Sequence, residues 1–136
     1  MGEAHHLSHS ERVTLIKAAR SALDDAGFAT MPIIACTGAG STRETIELSK
    51  EAAAAGADCA IVICSGYFAG ALAGNAKALK AFWIEVAAKS PIPVMIYNCT
   101  CAPLPVRPDA STHPGFRLAV RPRAFLLLPP LCPCRC

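Results

Sequence analysis

Hydrophobic positions recur along the first 98 residues with two periods in turn, and their alternation predicts the elements. In LSHSERVTLIKAARSALDDAGF, Val13, Ile16 and Leu23 fall on one helical stripe. Ser8 and Glu11 stand ahead of it in capping-box spacing, and Gly27 supplies the stop. MPIIACTG then places Ile33, Ile34 and Ala35 in a short apolar run between Pro32 and Gly38, the pattern of a strand buried on both faces. A second helix is predicted over STRETIELSKEAAAAGA, where Ser41 and Glu44 repeat the capping spacing and Gly56 ends the run. The cycle then repeats. DCAIVICS reads as a buried strand, NAKALKAFWIEVAAKS as a helix with Leu79, Phe82, Trp83 and Val86 on one face, and IPVMIYN as a third strand.

Each strand-plus-helix unit is about thirty residues long, the size of a βαβ repeat. Strands joined by crossover helices must run parallel, and a parallel sheet needs both faces covered. The class is therefore α/β, either doubly wound or barrel. After Asn98 both periods vanish. Eight of the eleven prolines lie in residues 99–136, and no lysine follows Lys89. Such a segment has few backbone donors and no repeating apolar face, so residues 1–98 are expected to be the folded body and residues 99–136 an irregular tail rich in proline, cysteine and arginine. The tail's excess of arginine, proline, cysteine and alanine fits translated GC-rich sequence from a foreign frame or a retained intron.

Composition narrows the picture. The chain is 53% hydrophobic, but much of that is alanine, which adds helix propensity and little buried area, so the core is expected to be thin. The formal charge of +3 is unevenly shared: residues 1–98 hold eight Lys/Arg against nine Asp/Glu, and residues 99–136 hold five Arg against one Asp. No basic cluster interleaved with aromatics occurs, so nucleic acid is excluded as the expected partner. No apolar run approaches the roughly 20 residues that span a bilayer, so no membrane partner is expected either. MGEAHHLSHSER is not the pattern of a signal peptide, and Cys36, Cys59 and Cys64 lie in or beside apolar strand runs where a free cysteine is a small buried hydrophobe. A reduced, cytoplasmic location is the expectation.

Several segments carry candidate chemistry. TGAGSTR, residues 37–43, opens like a dinucleotide loop but has Arg43 at the third glycine position, and a tight turn into a helix N-terminus is the better reading. His5, His6 and His9 lack a cysteine or carboxylate at helical spacing and read as solvated. Cys132, Cys134 and Cys136, with Cys99 and Cys101, offer soft ligands at a spacing tighter than zinc knuckles use, and no metal is assigned. Tyr97 stands apart. It ends a predicted parallel strand, where α/β folds gather catalytic groups, although an aromatic closing the sheet explains it as well.

Taken in order, GEAHHLSHSER, MPIIACTGAGSTRETIELSKEAAAAGAD, SGYFAG and SPIPVMIYN resemble the dihydrodipicolinate synthase and N-acetylneuraminate lyase family over residues 2 to about 98. The wording of SGYFAG and SPIPVMIYN is nearest to members resembling 4-hydroxy-2-oxoglutarate aldolases. The resemblance implies an eight-fold β/α barrel, of which this chain would hold the second helix and strands three to five. It also implies class I aldolase or lyase chemistry on pyruvate or a related 2-oxo acid, through a lysine imine that acts as electron sink and needs no cofactor. By the same resemblance Tyr97 is the strand-five tyrosine that relays protons at the imine. Tyr67 takes a second relay position, with Phe68 as the alternative, and Gly2 and Glu3 are the end of the loop that binds the substrate carboxylate.

The sequence also departs from that pattern. The loop's two threonines would precede Gly2, where Met1 stands, and the Schiff-base lysine would lie beyond Asn98, where there is no lysine. Lys17, Lys50, Lys77, Lys80 and Lys89 all fall on predicted helices. The expectation is an aldolase-type fragment inactive by itself. The alternative is a non-enzymatic module that associates with itself or with a full-length homologue, or that binds a soft metal through its tail.

Overall fold

The computed structural model describes residues 4–65, 69–72 and 75–97. A short 3-10 turn, Ala4–His6, leads into α1 (His9–Asp25), followed by β1 (Ile34–Cys36), α2 (Thr42–Ala54), β2 (Cys59–Ile63), the single turn α3 (Ala69–Leu72), α4 (Ala76–Lys89) and β3 (Val94–Tyr97). Every predicted helix and strand is present, and α3 is an addition that the alanine- and glycine-rich stretch after SGYF does not announce.

The helix ends follow from local chemistry. Ser8 caps α1 in a reciprocal capping box, its hydroxyl accepting from the Glu11 amide while the Glu11 carboxylate accepts from the Ser8 amide at 2.8 Å. Those bonds hold the Glu11 carboxyl below its usual range. Ser41 and Asn75 cap α2 and α4 by accepting from Glu44 and Ala78. At the other end α1 and α2 close in the same way. Gly27 and Gly56 adopt φ of 81° and 102°, the left-handed conformation that an L side chain resists. The next amide in each case reaches back to the helix, Phe28 N–H to the Leu23 carbonyl at 2.8 Å and Ala57 N–H to the Ala52 carbonyl at 3.0 Å.

The three strands form one parallel sheet in the order β1-β2-β3. Ile34, Ala35 and Cys36 lie opposite Cys59, Ala60 and Ile61, while Ala60, Ile61, Val62 and Ile63 lie opposite Val94, Met95, Ile96 and Tyr97. Because side chains alternate along a strand, this register sorts the sheet into two faces. One carries Ala60, Val62, Cys64 and Val94 and is sealed by Ile46 of α2 and by Leu79, Trp83 and Val86 of α4. A smaller cluster of Ala35, Ala52 and Ala57, with Ile16 against it, joins α1 and α2 to β1.

The other face carries Ile34, Cys36, Cys59, Ile61, Ile63, Met95 and Tyr97, and the helix residues of the two core clusters pack on the opposite side. Met95 is buried and Ile61 and Ile63 are half-buried, but Ile34, Cys36 and Tyr97 are exposed. This corrects the expectation that the first strand is buried on both faces: only Ala35 of β1 is buried. The reason is tertiary, since β1 has a neighbour on one side alone and helices over one face alone.

Trp83 is 4% exposed at the centre of the covered face. Trp83→Ala is expected to cost about 3–5 kcal/mol by emptying that space. Leu15→Ala, at a position 55% exposed on α1, is expected to cost less than about 0.5 kcal/mol. Urea midpoints of the two variants against the parent chain check the contrast.

Candidate functional site

In a parallel sheet the carboxyl ends of all strands lie at one edge, and there the described chain gathers its polar side chains. Tyr97 is the last residue of β3, opposite Ile63 of β2, and is 48% exposed on the uncovered face. Ser65, two residues beyond Ile63 on β2's path, is buried, and its hydroxyl finds no partner among the described residues. From β1 come Thr37 and Gly38. An added Cβ on Gly38 would meet the Ile63 backbone nitrogen at 2.7 Å, so glycine is required for the loop to pass this close to β2.

Beneath that loop the start of α2 is bonded to the end of β1 through buried hydroxyls. The Ser49 hydroxyl donates to the Thr45 carbonyl at 2.7 Å and lies 3.0 Å from the Thr37 hydroxyl. The Thr45 hydroxyl donates to the Ser41 carbonyl at 2.9 Å and accepts from the Ala39 amide at 3.2 Å. Thr45 and Ser49 are fully buried, so each bond avoids the cost of an unpaired polar group. TGAGSTR is thus a bonded turn into a capped helix, as its sequence suggests.

Of the residues read from sequence as a site, Tyr97 is at the strand ends, whereas Tyr67, Gly2 and Glu3 lie outside the described residues, as do Phe68, Asn98 and the tail's cysteines. Sequence reasoning missed Thr37, Thr45, Ser49 and Ser65. Thr45 and Ser49 are four apart on one face of α2, but only the packing of α2 on β1 shows which hydroxyl they meet.

The cysteines need correction. Cys64 is buried and Cys59 half-buried, and burial pushes both thiols up, with Asp58 adding to the rise at Cys59, so both are held as thiols. Cys36, expected to be buried, is exposed because it faces the uncovered side of β1. His9 is exposed, as expected, but it has a partner. Its Nδ1 lies 2.9 Å from Glu51 of α2, a carboxylate that spacing within α1 does not reveal. Among the described residues no cluster of three His, Cys, Asp or Glu is placed to hold a metal, and no helix is long and apolar enough to cross a membrane.

The lysines lie elsewhere. Lys17 on α1, Lys50 on α2, and Lys77, Lys80 and Lys89 on α4 are all exposed on helices, and no strand or strand end carries one among the described residues.

Residues 1–106 match the dihydrodipicolinate synthetase family. The chain belongs to that family. It is 48% identical over 97 residues to the "probable 4-hydroxy-2-oxoglutarate aldolase, mitochondrial" of Emericella nidulans, covering 71% of this chain and 31% of the relative. It is 46% identical over 97 residues to an L-threo-3-deoxy-hexylosonate aldolase of Aspergillus niger, covering 71% and 29%. The fold matches a dihydrodipicolinate synthase of Acinetobacter baumannii, solved with pyruvate, at TM-score 0.58 and 34% identity, covering 72% of this chain and 31% of that one. The described chain is accordingly part of an aldolase-type (β/α)8 barrel, and it spans about a third of the length of the relatives it matches. The barrel answers the question left open between doubly wound and closed sheets.

In a (β/α)8 barrel the uncovered face of the sheet is the interior, and Tyr97, Ser65 and Gly38 all lie at the carboxyl-terminal end of the described strands. Gly38→Ala is expected to force β1's loop away from Ile63 and to cost about 1–3 kcal/mol. Gly40→Ala, where an added Cβ meets nothing within 4 Å, is expected to leave the urea midpoint nearly unchanged.

Proposed function

We propose that these 136 residues carry part of the rim of a pyruvate-type class I aldolase and, alone, form no Schiff base. What carries the reading is the position of the lysines: all five are exposed on helices α1, α2 and α4, none is on a strand, and residues 90–136 contain none. A class I aldolase needs an amine at the rim to condense with the ketone and draw electrons from the bond being broken. Tyr97 has the right address for a proton relay, at the carboxyl end of the third described strand and open to the barrel interior. Tyr67 would complete the relay, and Gly2 and Glu3 would belong to the loop that holds the substrate carboxylate. A 2-oxo acid is supported as substrate class by the relatives' names and by the pyruvate in the Acinetobacter enzyme. No organic cofactor or metal enters such a reaction, because the imine is itself the electron sink.

Borohydride reduction of the chain in the presence of pyruvate, read by intact mass and peptide mapping, is expected to give no adduct on Lys17, Lys50, Lys77, Lys80 or Lys89. A stoichiometric adduct on any of them overturns the proposal.

A second reading draws on the uncovered row Ile34, Cys36 and Tyr97 and on the open edges of β1 and β3, which are unsatisfied in a lone sheet. The chain would then act by docking on itself or on a full-length member of the family. Co-purification with such a homologue, lost when Ile34 is replaced by Lys, would favour this reading.

The body and tail are proposed to divide at residue 98, one residue after β3. Limited trypsin digestion is expected to cut first at Arg117 and Arg123, and early cuts within residues 9–97 would count against the division.

A further inference from the structure

The helix α1 is held to the rest of the chain unequally at its two ends. None of its residues is buried, and Val13 and Ile16 line a cleft across from Cys36 and Thr37 at the end of β1 and from Leu48 and Ala52 of α2. Its N-terminal half is therefore packed on the body through half-buried side chains alone, Val13 and Ile16 among them. Its C-terminal half is tied by a permanent charge. Arg20 donates to the Met31 carbonyl at 3.1 Å and lies 3.6 Å from Asp58, which in turn accepts from the Ile33 amide at 2.8 Å. Arginine stays charged at every relevant pH.

The tie at the other end is His9, the first residue of the helix. Its Nδ1 lies 3.0 and 2.9 Å from the two oxygens of Glu51, and its Nε2 lies 3.8 Å from Glu44. Glu44 and Glu51 are two turns apart on α2, so the ring sits between two carboxylates. A neutral imidazole has one N–H and would turn a lone pair toward one of them, whereas imidazolium presents an N–H to both.

We propose that His9 is a proton-operated latch on α1: protonated, it fastens the N-terminal half of the helix across the cleft to α2, and neutral, it lets that half lift while the Arg20 end stays anchored.

The charges facing His9 agree with this. Bonding to Glu51 raises its pKa above the usual histidine value, the Glu51 and Glu44 charges add to the rise, and partial burial and Arg12 on its own helix oppose it. β1 brings no charged residue to the cleft. Since the docked pKa is the raised one, the latch is fully closed below the undocked value near 6.5 and opens as pH climbs through the docked value. With side chains 46% and 38% exposed, His9 and Glu51 are screened by water. The effect on local opening is accordingly about twofold to fivefold, the range of surface ion pairs.

Amide hydrogen exchange of the 136-residue chain, resolved by peptide, tests this with His9→Gln measured beside the parent at each pH, so that base-catalysed chemistry cancels in the ratio. Residues 10–18 are expected to exchange about twofold to fivefold faster in His9→Gln at about pH 5.5, and equally fast in both near pH 8.5. Residues 19–25 are expected to be indifferent. Glu51→Gln should match His9→Gln at low pH, and His9→Lys, charged throughout, should keep residues 10–18 protected at high pH. A ratio that does not change with pH, an equal response of residues 19–25, or an α1 without protection in the parent chain overturns the latch.

Discussion

Val62 and Ala60, at the middle of the central strand and closed under Trp83 and Val86, make the contact on which the rest of the described structure depends. β2 is the strand with a partner on each side, and its register against β1 and β3 brings the carboxyl ends of all three to one edge. If the cover by α4 were lost, the sheet would have apolar residues open on both faces. Parallel strands cannot fold back on one another through a tight turn, so each pairing relies on a crossover helix that both covers the sheet and returns the chain. The Schellman closures at Gly27 and Gly56, and the caps at Ser8, Ser41 and Asn75, set the lengths of those helices.

The same constraint explains what is uncovered. In the family's closed barrel the face bearing Ile34, Cys36 and Tyr97 is interior and the edges of β1 and β3 are paired. In the described chain both are open. The proposed chemistry and the stability of the fold meet at this point, because barrel closure would enclose this face. Tyr97 is in place there. Among the described residues no lysine stands at a strand end, and the proposed loss of Schiff-base chemistry rests on that.

Particular residues show how much of this was legible beforehand. The helices were legible because capping serines and glycine stops act within a few residues of themselves. Tyr97 was legible because the end of a parallel strand is a position, and position follows from the order of elements. Cys36 was misjudged: an apolar run of three or four residues says strand, but it does not say whether a neighbour or a helix covers each face. The partner of His9 was missed for the same reason at longer range, Glu51 being 42 residues away and reached only through the packing of α1 on α2. The hydroxyls of Thr37, Thr45 and Ser49 belong with it.

The amino-acid sequence by itself determined the order of strands and helices, their caps, the parallel sense of the sheet, the family and the lysine-free stretch after Lys89. All of these rest on local hydrogen bonding, on side-chain periodicity, or on residue identity. The tertiary structure alone decided which face of the sheet is covered, that β1 is an edge, that Ser49 meets Thr37, and that His9 stands between two carboxylates. Those outcomes turn on which distant surfaces meet when apolar faces are buried, and burial is a property of the assembled chain.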